Sequence, residues 1–223
     1  PSLLTPDEAN TLFHEFGHAL HQLLSNSTYP GVSGTSVARD FVELPSQIME
    51  HWVLEPEVLR EYAKHYQTGE VIPAEIIDKL DKAGKFNMGF TTVEFLAAAL
   101  LDMEYHIITE PVDIDIREFE KKVLDKYGLI PEIKPRYRST YFNHIWNSGY
   151  AAGYYSYYWS EMLDADAFLA FKETGDIFNR EVAARFENEI LSKGGTRDPL
   201  DMYIAFRGKE PGIDALLKNR GLK

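Results

Sequence analysis

The chain has 223 residues, 44% hydrophobic and 26% charged, with a net charge of −12. That is long enough for one domain with a sizeable core, and its acidic balance excludes the basic surface that a nucleic-acid partner needs. It has no cysteine, which rules out disulfides and thiolate metal sites, and its longest apolar run, residues 95–101, is too short to span a membrane.

Thr5-Pro6-Asp7-Glu8 opens the first helix: Thr5 caps, Pro6 suits the first turn and Glu8 completes a capping box. This helix is predicted over residues 6–24. Residues 25–36 are polar, contain Pro30, Gly31 and Gly34, and read as a loop. A second helix is expected over 37–53, kinked by Pro45. Shorter helices are expected over 56–67 and 73–85, then a buried one over 91–108 and an amphipathic one over 115–127. Residues 130–148 are irregular, with Pro131 and Pro135. Residues 149–171 are read as helical after Gly153. Further helices are expected over 176–191, 198–206 and 211–218. No alternating strand pattern of convincing length occurs, so the fold class is all-α.

His14-Glu15-Phe16-Gly17-His18 lies inside the first predicted helix. Residues four apart share a helix face, so His14 and His18 can hold one metal ion. Glu15 is offset from them and can reach a water as a general base, the arrangement of zinc metallopeptidases. Gly17 is a poor helix former and implies close approach of another element. The metzincin continuation would need Gly at 21 and His at 24; the chain has His21 and Leu24. A carboxylate is left as third ligand. His18 lies seven residues before Ser25, about 10 Å along a helix axis, and Glu43 lies six residues past Val37, about 9 Å on the return. Antiparallel packing would bring Glu43 level with His18, leave Asp40 short, and put Glu50 near His14 as an acceptor for an imidazole N–H. The competing reading of Glu43 is a solvated helix carboxylate.

Residues 144–159 hold His144, Tyr150, Tyr154 and Tyr157. If a helix already holds at Tyr150, then Tyr150, Tyr154 and Tyr157 share a face. Phenols can donate to an oxyanion, and His144 can do the same or bind a substrate carbonyl. Composition alone favours a packing helix instead.

Together the segments 12–23, 34–52, 142–161 and 194–222 resemble the thimet oligopeptidase family of zinc metallopeptidases. Gly149-Tyr150-Ala151-Ala152-Gly153-Tyr154-Tyr155-Ser156-Tyr157 is most similar to its peptidyl-dipeptidase branch, which releases dipeptides from C-termini. The resemblance implies one Zn2+ ion on His14, His18 and Glu43, with Glu15 as base. It also implies that His144, Tyr150 and Tyr157 face a short peptide substrate. It implies the zincin-like, mostly helical lobe of a two-lobed enzyme with a deep substrate channel. Residues 1–223 are then one catalytic (sub)domain of a longer chain, whose missing N-terminal part is a partner. No nucleic-acid or membrane partner is expected. The lack of cysteine fits a cytoplasmic setting, with a periplasmic one open. Gly31 and Gly34 are expected to form a loop beside the metal that holds substrate backbone. Arg207 and the tyrosines are candidate anchors for a substrate carboxylate. Two other readings stay open: an endo-acting oligopeptidase with the same site, and a non-catalytic helical scaffold with a vestigial zinc site.

Overall fold

A computed structural model describes residues 3–223. Eleven α-helices are described, and among the described residues the only β pairing is one antiparallel bridge between Lys64 and Val71. The chain divides into two compact units, Pro1–Phe86 with Trp159–Lys223, and Asn87–Tyr158.

The first unit begins with α1 (Pro6–Leu23), closed by the expected capping box. The Glu8 N–H donates to Thr5 Oγ1 at 3.2 Å and the Thr5 N–H to Glu8 Oε2 at 2.8 Å. Its inward face is Ala9, Gly17 and His21. The second helix departs from expectation. Residues 39–43 form turns, and α2 runs only over Leu44–Val53. Pro45 starts this helix instead of kinking it: in a first turn its missing N–H needs no partner, whereas in a running helix it would break a hydrogen bond. Glu43 is therefore the N-cap residue of α2. The unit continues with α3 (Pro56–Tyr62) and α4 (Ala74–Lys85). After the second unit it resumes with α8 (Ser156–Lys172, in this unit from Trp159 onward), then α9 (Arg180–Phe186), α10 (Pro199–Arg207) and α11 (Asp214–Asn219). The expected start of α9 at residue 176 gives way to a turn, because Asn179 caps the helix through the Glu181 and Val182 N–H groups. A π-helical turn, Glu187–Leu191, follows it. Phe41, Leu44, Ile48, Phe168, Ile190 and Phe206 form the centre of this unit's core.

Two glycine contacts set the backbone around the future site. A Cβ on Gly17 would lie 2.2 Å from the Pro45 carbonyl oxygen and 2.5 Å from Ser46 Cα, so α1 and α2 touch backbone to backbone. A Cβ on Gly194 would lie 2.2 Å from the Val32 carbonyl oxygen, which ties the 30–36 loop to the 194–196 turn. Alanine at 17 would gain about 1 kcal/mol of helix propensity, but overpacking against a backbone outweighs it. Gly17→Ala is expected to destabilise by about 2 kcal/mol net, read as a lower urea midpoint in the full-length protein. A raised midpoint would mean that α2 gives way at no cost.

The second unit holds α5 (Met88–His106), α6 (Ile116–Lys126) and the short α7 (Asn143–Trp146). Asp115 caps α6 through the Arg117 and Glu118 N–H groups. Phe95, Ala98 and Ala99 of α5 pack with Phe142, Ile145 and Tyr154. The buried Glu120 carboxylate accepts from Arg138 Nε and the Ser139 N–H, each at 2.7 Å. Residues 151–155 are turns, so the helical register assumed for Tyr150 and Tyr154 does not exist; α8 starts at Ser156. Ala152 sits at φ +51°, a left-handed conformation that ends any helix from Tyr150.

Candidate metal centre and tyrosine cluster

α1 presents His14 and His18 one turn apart, with ring centroids 5.0 Å apart and the rings edge to face. Glu43 arrives from the N-cap of α2. Its Oε2 lies 3.3 Å from His14 Nε2 and 3.3 Å from His18 Nε2. Among the described residues these three form the one group of three or more metal-ligating side chains whose ligand atoms lie within 4.8 Å of one another. Tetrahedral zinc with bonds of about 2.0–2.1 Å has ligand-to-ligand edges of about 3.3–3.4 Å, so the two separations from Glu43 match that ion, as do two imidazoles and a carboxylate in their chemistry. Glu43 is nearly buried, at 3% exposure, and Ser46 Oγ donates to its Oε2 at 3.0 Å. That bond fixes the carboxylate from within α2's first turn.

Glu50, one face-repeat further along α2, meets His14. Its Oε1 lies 2.7 Å from His14 Nδ1, and Asn10 Nδ2 donates to its Oε2 at 2.7 Å. The Glu50 carboxylate holds a proton at Nδ1, so Nε2 is the nitrogen turned toward Glu43. Burial disfavours a charged His14, yet the Glu43 and Glu50 carboxylates raise its pKa to about 10. His18 Nδ1 is buried with no hydrogen-bond partner among the described residues. Glu15, between the two histidines, is exposed. His21 is fully buried and is held neutral, its pKa lowered to about 4 by burial and by His18.

Beside this centre lies a polar cavity of about 370 Å³, lined among others by Asn10, Glu50, His51 and Asp164. His51 Nε2 is 2.6 Å from Asp164 Oδ1. Burial pushes the Asp164 carboxyl up to about 7, with His51 offsetting part of the rise. Asn10, His51 and Asp164 were not singled out by the sequence. Asn10 falls on the face of α1 that carries His14, and that spacing was the available signal; Asp164, 113 residues from His51, left none.

Of the two glycines in the 30–36 loop, Gly34 stands at a close approach, where a Cβ would lie 2.3 Å from Gln22 Oε1, whereas a Cβ on Gly31 would meet nothing within 4 Å. Gly34 takes φ +53° and its N–H donates to Ser25 Oγ at 2.9 Å. Arg207 is corrected as a candidate anchor. Its side chain is 8% exposed and its guanidinium is already paired with Asp166 at 3.2 Å and Glu173 at 2.7 Å. It ties α10 to α8, and a substrate carboxylate would have to displace both acids.

In the second unit His144, Tyr150 and Tyr157 come together, by a route other than a shared helix face. The Tyr150 N–H donates to the His144 carbonyl at 3.0 Å. The rings of Tyr150 and Tyr157 stack at 5.1 Å, and His144 stands edge-on to them at 6.2 and 6.1 Å. Tyr154 instead belongs to the core: it is 2% exposed, stacks on Phe95 at 4.6 Å, and burial pushes its phenol pKa well up.

The sequence matches peptidase family M3 over residues 1–222. The chain belongs to peptidase family M3. The family resemblance read from segments 12–23, 34–52, 142–161 and 194–222 thus holds across the whole chain. This M3 chain is 47% identical over its full length to the dipeptidyl carboxypeptidases of Salmonella typhimurium and Escherichia coli. It is 44% identical to oligopeptidase A of Escherichia coli. It spans 33% of the length of each of these relatives. No described helix of this M3 chain is long and apolar enough to cross a membrane.

Proposed function

We propose that the full-length protein carrying this chain is a zinc-dependent peptidase that hydrolyses oligopeptides and releases dipeptides from their C-termini. One observation carries the reading: a single Glu43 oxygen lies 3.3 Å from the Nε2 atoms of both His14 and His18, with Glu15 next to His14 in the chain. In this reading His14, His18 and Glu43 bind one zinc ion. Three protein ligands leave a position open, which suits a catalytic site better than a structural one. When bound, the ion supplies a Lewis acid that polarises the scissile carbonyl and makes water acidic near neutrality.

The chain's own groups do the rest. Glu15 takes a proton from the attacking water and delivers it to the leaving amine. Tyr150 and Tyr157 donate hydrogen bonds to the oxyanion that develops on the scissile carbonyl. His144 holds a substrate carbonyl. Glu50, itself held by Asn10, keeps the His14 ring in its ligating tautomer. The proposed setting is cytoplasmic, in keeping with a chain free of cysteine.

Dipeptide release is supported by the likeness to the two dipeptidyl carboxypeptidases; the likeness to oligopeptidase A supports an endo-acting enzyme as second reading. Metal analysis of the full-length protein, with cleavage of one peptide bearing a free or an amidated C-terminus, separates them. One zinc per chain is expected, with dipeptide products from the free form only. Equal cleavage of the amidated peptide would assign an endopeptidase, and cleavage of neither would leave a binding scaffold.

A further inference from the structure

The carboxyl group of Asp102 is a buried acid with no part in the hydrolysis proposed above. It lies on α5 with 0% exposure. Its Oδ1 accepts from the Ala152 N–H at 2.9 Å and its Oδ2 from the Tyr154 N–H at 2.9 Å. His106 Nδ1, one turn further along α5, lies 2.8 Å from the same Oδ1. Seven residues before Asp102, on the same helix face, Phe95 stacks on Tyr154. α5 thus grips one turn at two places, by a carboxylate on its backbone and a ring on its side chain.

What is gripped explains why an acid is there. Ala152 sits at φ +51° although it carries a Cβ, a conformation that L side chains rarely adopt. Gly149 at φ +80° opens the same turn. This turn sets Tyr150 against Tyr157 although no helix joins them. Two N–H groups from alternate residues converge on one side chain, and the two oxygens of the carboxylate accept one each. An asparagine would turn an NH2 toward one of them. Burying a carboxylate is unfavourable, and its return here is one backbone conformation rather than cohesion.

We propose that Asp102 is a positioning residue for the reaction: its carboxylate clamps the 149–154 turn and so sets the Tyr150–Tyr157 pair. This rests on the catalytic reading of those tyrosines. Hydrogen exchange in the full-length protein tests the clamp first. The Ala152 and Tyr154 amides should be protected to the same order as those of α5; exchange at unfolded-chain rates would overturn the clamp without any variant, and so decides the matter even if Asp102→Asn does not fold. Asp102→Asn should speed exchange of these amides at least about tenfold. It should keep its zinc and lose about 100-fold in kcat, with KM within about threefold, because the donors are misplaced and not removed. Ala152→Gly in that background should restore kcat at least about tenfold, since glycine takes a positive φ unaided. A general loss of fold would not respond to that change. Unchanged exchange, unchanged kcat, or a loss that Ala152→Gly leaves in full would each overturn the proposal. Tyr157→Phe in the otherwise wild-type enzyme separates the two layers: wild-type kcat there sinks the catalytic role of the tyrosines, while the exchange data still report on the clamp.

Discussion

Glu15→Gln in the full-length enzyme is expected to lower kcat by about 10³-fold, within the range seen for general acid–base groups, while zinc content stays that of the wild type. That loss corresponds to about 4 kcal/mol of transition-state stabilisation. The separation of the two readouts follows from position. Glu15 is exposed, and its oxygens are not among the three donor atoms that converge within 4.8 Å. Glutamine keeps the size and the helix preference of glutamate but cannot accept a proton. A fall in zinc content along with kcat would mean that Glu15 supports the metal, and an undiminished kcat would move the base elsewhere.

The second large effect belongs to Glu43. Its removal should weaken zinc binding by at least about 10³-fold, whereas loss of a residue that only supports a ligand costs about 10–100-fold. Glu50→Gln provides that comparison in the same protein, because Glu50 touches His14 at Nδ1 and not on the Nε2 side. Competition against a chromophoric chelator would rank the two. Equal losses for Glu43→Ala and Glu50→Gln would place Glu43 outside the ligand set. The contrast is sharpened by burial: Glu43 is 3% exposed and held by Ser46 in α2's first turn, so alanine there removes a carboxylate fixed in place.

How much of this was legible in the sequence depends on how far each signal reaches. The α1 capping box, the shared face of His14 and His18, and the contact implied by Gly17 are signals of five residues or fewer, and each has its counterpart in the structure. Glu43 and Glu50 were placed beside the histidines by loop length, and the structure puts them there. The helix assumed over 37–43 is absent, however, so the chain returns through turns. Pro45 reads from the sequence as a kink inside a longer helix, whereas it stands in the first turn of α2. The tyrosine turn was the harder case. Its shape depends on Asp102, fifty residues away, whose two oxygens override the local preference of an alanine-containing stretch for helix. The His51–Asp164 pair and the capture of Arg207 by Asp166 and Glu173 are of the same kind. Each depends on which helices meet, and hydrophobic periodicity does not encode that.

The contact at Gly17 also limits how such a protein can be improved. Glycine-to-alanine exchange inside helices is a standard route to heat resistance, and α4 offers it at Gly84, where an added methyl meets nothing within 4 Å. At Gly17 the same exchange pushes against the Pro45 carbonyl, two residues from Glu43. Relief could come only by shifting one helix along or away from the other. The exchange that strengthens an ordinary helix is therefore expected to weaken this one, and the same shift would move the first turn of α2, from which Glu43 reaches His14 and His18.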